Sequence, residues 1–247
     1  MGYRQFTSKL ARVIYDDEVV DAGCEKLFHC DWLAANSLCA LVERGKAVMF
    51  AYRGRELVFK QYHRGGLVGR LVEKTYLYSP LSNTRVWREF NMLRAMRELG
   101  LPVPRPVAAR CVSVPPLAYR GALITERIPD SRTLTEILCE RPLDNATWAK
   151  LGALIAHFHH KNVYHADLNA SNILLTGSGD FYLIDFDKGA IRRALSRQDA
   201  NANVARLRRS LCKLQKRCPE FHVAEDNWQA LERAYRAAID QPENQPG

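Results

Sequence analysis

The sequence predicts an α+β fold with a β-rich first half and a mainly helical second half. Three observations carry this. Two alternating apolar runs are joined by Arg53-Gly54, and Leu151, Leu154, Ile155 and Phe158 form one helical face. Two short runs, NILLT and FYLID, are joined by Gly177-Ser178-Gly179 as a second hairpin.

Taken in order, the first 40 residues are mixed and predict no element. From Ala47, AVMFAYRG and ELVFKQY alternate as the strands of a hairpin, with the turn formers Arg53-Gly54 between them. The loop HRGGLVG leads into an irregular stretch reaching Asn83. Val86, Phe90, Leu93 and Met96 then recur at helical spacing, and Gly100 with Pro102 ends the helix. LPVPRPVAARC is extended and proline-punctuated, and GALITERI reads as a buried strand. PDSRT, from Pro129, reads as a turn and helix start, which places the boundary between residues 1–128 and 129–247. From Ile191 the chain is helical and basic.

Among 247 residues, 47% hydrophobic and 26% charged is ordinary for a soluble globular protein. Lys and Arg number 36 against 27 Asp and Glu, a net charge of +9 that favours anionic partners. Seven cysteines, none spaced C-x-x-C, predict reduced thiols in a cytosolic protein. No apolar run approaches the roughly 20 residues that span a bilayer. MGYRQF lacks a myristoylation signal and nothing resembles a signal peptide, so any membrane association is expected to be peripheral. No nucleic-acid motif or aromatic-basic platform accompanies the charge, so no nucleic-acid partner is expected. No obligate protein partner is evident either.

Five polar residues interrupt the pattern. Lys60 lies inside ELVFKQY on the face of Val58 and Tyr62, Glu89 lies on the following helix, and Asp167, Asn172 and Asp185 bracket the second hairpin. Phosphoryl transfer needs cations on the phosphates, oxygen ligands for Mg²⁺ and one carboxylate aimed at the attacking hydroxyl. Each residue also has a structural reading: Asp and Asn form turns, and a strand lysine can snorkel. His157, His159 and His160 suit a helix end near its dipole better than a zinc site, and His165 reads as a support for the loop backbone.

This order of residues resembles the protein-kinase-like superfamily. HADLNASN from His165 to Asn172 matches the catalytic loop H-R-D-x-x-x-x-N, and LIDFD around Asp185 matches D-F-G. The resemblance implies a bilobal kinase-like fold with a β-rich N-lobe and a reduced, mainly helical C-lobe. It makes Asp167 the hydroxyl-orienting base, Lys60 the phosphate-pairing lysine and Glu89 its brace, with Glu73 and Glu98 as other candidates. Asn172 and Asp185 would hold Mg²⁺, and Gly45 and Glu126 would contact ATP. The departures matter too. Ala166 replaces the loop arginine, Asp187 the glycine of D-F-G, no A-P-E follows, and only Gly45 represents the glycine-rich loop. These point to a small acceptor and constant activity.

RGGLVGRL from Arg64, REFNML from Arg88, GLPVPRP from Gly100, YHADLNASNILL from Tyr164 and LIDFDKG to Gly189 are similar to the 3-deoxy-D-manno-octulosonic acid (Kdo) kinase family. The resemblance implies ATP-dependent phosphorylation of the 4-hydroxyl of a Kdo residue on Kdo-lipid A, in lipopolysaccharide inner-core biosynthesis. Arg64, Arg70 and Lys74 would then clamp the acceptor's anionic groups, against the alternative of a solvated basic loop. Nine Lys and Arg lie between Arg192 and Arg217, opposed only by Asp199. They read either as a solvated helix face or as a peripheral contact with an anionic membrane, at the cytoplasmic face of the inner membrane. A heptose kinase, a small atypical protein kinase and a kinase-shaped binding protein are the competing readings.

Overall fold

The computed structural model describes residues 2–8, 11–36, 47–62, 76–77, 81–114, 118–218 and 220–241. The chain forms two compact units, Met1–Ala95 with Pro104–Arg127, and Met96–Val103 with Ile128–Gly247. The segment Met96–Val103, placed before the boundary by sequence, thus belongs with the second unit.

The first unit is an antiparallel sheet. Its strands are β1 (Tyr3–Ser8), β2 (Ala11–Asp16), β3 (Ala47–Tyr52), β4 (Arg55–Gln61), β5 (Tyr76–Leu77), β6 (Pro106–Val114) and β7 (Ala118–Glu126). They run in the order β1-β2-β6-β7-β4-β3, with β5 also on β7. Between β3 and β4, Arg53 and Gly54 have φ of 50° and 74°, the left-handed pair that a two-residue hairpin turn requires. Alternation along β4 sends Leu57 and Phe59 into a core with Val13, Phe28 and Ile124, and leaves Lys60 on the opposite face.

Within residues 2–36, where the sequence assigned no element, the chain forms strands and helical turns. A 3-10 turn at Ala22–Phe28 and helix α1 (Cys30–Ala35) bury Cys24, Leu27, Phe28 and Leu33. Strand β1 is half exposed along its length, while β2 is buried on both faces except at Arg12, so neither shows clean alternation. Helix α2 (Arg85–Glu98) buries Val86, Phe90, Leu93 and Met96. It ends where Gly100 turns to φ 74° and Leu101 N–H donates to the Met96 carbonyl at 2.9 Å.

The second unit holds helices α3 (Leu134–Leu138), α4 (Asn145–His160), α5 (Arg197–Arg217) and α6 (Glu225–Ile239). Strands β8 (Ser131–Thr133), β10 (Ile173–Thr176) and β11 (Phe181–Leu183) form a small sheet ordered β11-β10-β8. A second pair joins β9 (Val163–Tyr164) to β12 (Ala190–Ile191). The predicted helix start at PDSRT is a short strand whose last residue, Thr133, caps α3. Its hydroxyl accepts from Glu136 N–H at 3.1 Å, and the Glu136 carboxylate accepts from Thr133 N–H at 2.9 Å. Helices α4 and α6 cross closely: a Cβ at Gly152 would lie 2.2 Å from the Leu231 carbonyl oxygen, so only glycine fits there. Among the described residues, no helix is long and apolar enough to cross a membrane.

Candidate active site

In the first unit, the candidate residues gather on a buried carboxylate. Glu89, 2% exposed on α2, receives Lys60 Nζ at 3.3 Å from each of its oxygens. The Tyr62 hydroxyl donates to Glu89 Oε2, and Lys60 Nζ lies 5.1 Å from the Tyr62 ring centre. Lys60 and Tyr62 meet on one face because strand residues two apart do so. A buried carboxylate without such partners would be strongly unfavourable, so the three residues support one another. Of the alternatives to Glu89, Glu98 lies exposed at the end of α2. Glu126 ends β7, with its carboxylate held by Arg55 at 2.5 Å. Glu73, Gly45, Arg64, Arg70 and Lys74 lie outside the described residues.

In the second unit, two loops are locked side by side by topology. The loop 165–172 links β9 to β10, and the loop 184–189 links β11 to β12; because β9 pairs with β12 and β10 with β11, both loops are fastened at each end. His165 joins them further. Its Nδ1 accepts from Asp167 N–H at 3.1 Å, so the proton sits on Nε2 and is donated to the Ile184 carbonyl at 2.9 Å. Burial pushes the His165 pKa down, which keeps the ring neutral in that tautomer. Phe186 is buried against it, with ring centres 4.5 Å apart, and stacks on Phe158 at 6.1 Å. The sequence reading of His165 as a loop support matches this geometry.

Asp167 is thereby held at the open side of the loop, its side chain 55% exposed. Asn172 Nδ2 donates to the Asp167 carbonyl at 3.0 Å, which leaves Asn172 Oδ1 as the available ligand atom. Asn169 caps the intervening 3-10 turn, accepting from Ser171 and Asn172 N–H at 2.9 and 3.2 Å. Ile184 N–H donates to the Asn172 carbonyl at 3.0 Å, which brings the residue before Asp185 against Asn172. Asp185 has φ 66°, a left-handed conformation that is uncommon outside glycine and clusters at functional sites.

The loop has two supports that sequence reasoning missed, both on α5. Buried Asn203 bonds the His165 backbone, and Arg206 donates Nε and Nη2 to Asp167 Oδ1 at 3.0 and 2.5 Å. Asn203 Oδ1 also accepts from His159 Nε2 at 3.2 Å, and the Tyr235 hydroxyl is 2.9 Å from His159 Nδ1. Burial pushes the His159 pKa down to about 4. An asparagine at a helical spacing shared with Val204, Leu207 and Leu211 was the available sequence signal. Arg206 had none among so many basic neighbours.

Two oxygen ligands, Asn172 Oδ1 and the Asp185 carboxylate, suit Mg²⁺, which keeps several waters and binds through one or two protein groups plus phosphates. Among the described residues no three His, Cys, Asp or Glu side chains converge as a metal cage.

Comparisons with known proteins agree with this architecture. Residues 35–235 match the lipopolysaccharide kinase (Kdo/WaaP) family. A 3-deoxy-D-manno-octulosonic acid kinase of Vibrio parahaemolyticus is 35% identical over 187 residues, covering 75% of this chain and 78% of that one. One from Xanthomonas campestris is 41% identical over 181 residues, covering 73% and 71%. One from Photobacterium damsela subsp. piscicida is 34% identical over 233 residues, covering 93% and 95%. Among solved structures, WaaP in complex with acyl carrier protein aligns with a TM-score of 0.54 at 18% identity, covering 89% of this chain and 88% of that one, which shows the shared kinase-like fold. The extent of the family match and the identity to these relatives place the chain within the lipopolysaccharide kinase (Kdo/WaaP) family.

Proposed function

We propose that this protein transfers the γ-phosphoryl group of ATP to the 4-hydroxyl of a Kdo residue on Kdo-lipid A. The observation that carries the reading is the Asp167 carboxylate, presented on a loop fixed by His165, Asn172 and Asn203, in a chain of this kinase family. The acceptor oxygen bonds to the γ-phosphorus, the bond from that phosphorus to the bridging oxygen breaks, and ADP departs with the electron pair. Asp167 orients the hydroxyl and takes its proton. Lys60, braced by Glu89 and Tyr62, offsets charge on the nucleotide phosphates. Asn172 and Asp185 would hold Mg²⁺, which when bound neutralises phosphate charge.

The acceptor is lipid-anchored, so the reading includes peripheral contact at the cytoplasmic face of the inner membrane. Arg209, Lys213, Lys216 and Arg217 support this: they are exposed at helical spacing on α5 and pair with no carboxylate among the described residues. Binding to anionic vesicles that weakens as salt rises is expected; binding indifferent to salt contradicts the membrane assignment. The test of function is transfer from γ-labelled ATP to a panel of Kdo-lipid A, a heptosylated core and a generic protein. Label on Kdo-lipid A supports the reading, whereas label only on heptose or protein replaces it.

A further inference from the structure

We infer that Arg206 is an acceptor-specificity residue that binds the carboxylate of the sugar whose hydroxyl Asp167 orients. The inference rests on the proposed reaction and adds the group by which the acceptor is read. Arg206 directs both Nε and Nη2 to one oxygen of Asp167, at 3.0 and 2.5 Å. Among the described residues Asp167 Oδ2 accepts no hydrogen bond, and Arg206 Nη1 has no partner. The pair therefore presents an acceptor oxygen and a guanidinium donor next to each other, within the span of one sugar ring. A ring carrying a hydroxyl and a carboxylate matches that arrangement: the hydroxyl donates to Oδ2 while the carboxylate accepts from the guanidinium.

Exposure indicates the side from which this ligand comes. The side chains of Asp167 and Arg206 are 55% and 46% exposed, whereas Asn172, the expected metal ligand of the same loop, is 9% exposed. The Asp167–Arg206 pair thus faces outward, where an acceptor arrives, and Asn172 faces inward. Two other arginines of α5 pair with carboxylates: Arg208 with Glu225 at 2.9 Å, and Arg197 with Asp240 at 2.5 Å. Arg206 differs from them in pairing with the residue assigned as the base. Exchanging part of that ion pair for a substrate carboxylate costs little, because a half-exposed pair is weak in water.

The experiment compares wild type, Arg206→Gln and Arg206→Lys on Kdo-lipid A and on its carboxyl methyl ester, measuring KM for acceptor, KM for ATP and kcat. Binding of both lipids is measured in parallel without ATP. Wild type is expected to lose about 10- to 100-fold in acceptor affinity on esterification, as for a charge-assisted hydrogen bond. Arg206→Gln should bind the carboxylate form about as weakly as wild type binds the ester, and discriminate between the two by less than about twofold on the same basis. Arg206→Lys should fall between them, and KM for ATP should stay unchanged.

An Arg206→Gln protein that keeps wild-type acceptor affinity and ester discrimination, with only kcat reduced, overturns the inference: Arg206 would then act on Asp167 or on the transferred phosphoryl group. The binding measurement separates this failure from failure of the functional reading. A wild type that prefers the carboxylate form, with that preference lost in Arg206→Gln, yet transfers no phosphate overturns the function and leaves the Arg206 assignment standing. A wild type that binds neither lipid overturns both.

Discussion

Asn203 holds both sides of His165: its Oδ1 accepts from the His165 N–H at 3.3 Å, and its Nδ2 donates to the His165 carbonyl at 2.5 Å. The amide is 1% exposed, so these backbone groups have no ready replacement from solvent. Since His165 in turn binds Asp167 N–H and the Ile184 carbonyl, a residue on α5 sets the backbone that carries the proposed base.

Asn203→Leu should therefore act on both stability and turnover. Leaving buried backbone groups unsatisfied costs about 1–3 kcal/mol, read as a lower midpoint of denaturant unfolding. A shift of the loop should lower kcat about 10- to 100-fold while KM for ATP changes little. Unchanged kcat in a folded variant would show that the loop holds its shape without Asn203.

Lys60, Tyr62 and Glu89 should behave as a unit. Lys60→Met is expected to lower kcat/KM for ATP by about 100-fold or more, and Glu89→Gln by about 10-fold. The double variant should be no worse than Lys60→Met, because the glutamate acts through the lysine. Steady-state kinetics of the cycle measures this; losses that multiply would mean that the two residues act independently.

The buried His159 should make stability depend on pH. Its pKa is about 4 in the folded protein, below its ordinary value of 6.5, because burial disfavours the imidazolium. Between these values the unfolded chain binds the proton and the folded protein does not. Stability is thus fully present above about pH 6.5 and falls as pH drops toward 4, by roughly 3 kcal/mol in total from this group. Buried His165 acts in the same direction. Unfolding midpoints across this range should show a shallower slope for His159→Gln than for wild type. Identical slopes would place the proton uptake elsewhere.

What was legible in the sequence is what local chemistry determines. The Arg53-Gly54 turn, the α2 stripe and its glycine stop, the second hairpin and the spacing of Asp167, Asn172 and Asp185 all depend on near neighbours. The missed hairpin of β1 and β2 shows the converse, since an edge strand and a doubly buried strand both lack the alternating pattern. Lys60 and Glu89 lie 29 residues apart, yet strand and helix faces in a familiar order made their pairing foreseeable. Asn203 and Arg206 reach the loop from 38 and 39 residues away, on a helix whose motif content is nil. Their roles follow from where α5 packs, which no local pattern encodes.

The role of Asp167 as base for transfer to a Kdo hydroxyl is open to a single measurement. It is tested most directly by incubating Kdo-lipid A with γ-labelled ATP and locating the phosphate on the product by mass spectrometry and NMR, with wild type and Asp167→Asn side by side. Phosphate on the 4-oxygen of Kdo is expected with wild type, and a rate about 10²- to 10⁴-fold lower with Asp167→Asn at unchanged ATP affinity. Phosphate on another group, or a comparable rate from Asp167→Asn, would contradict it.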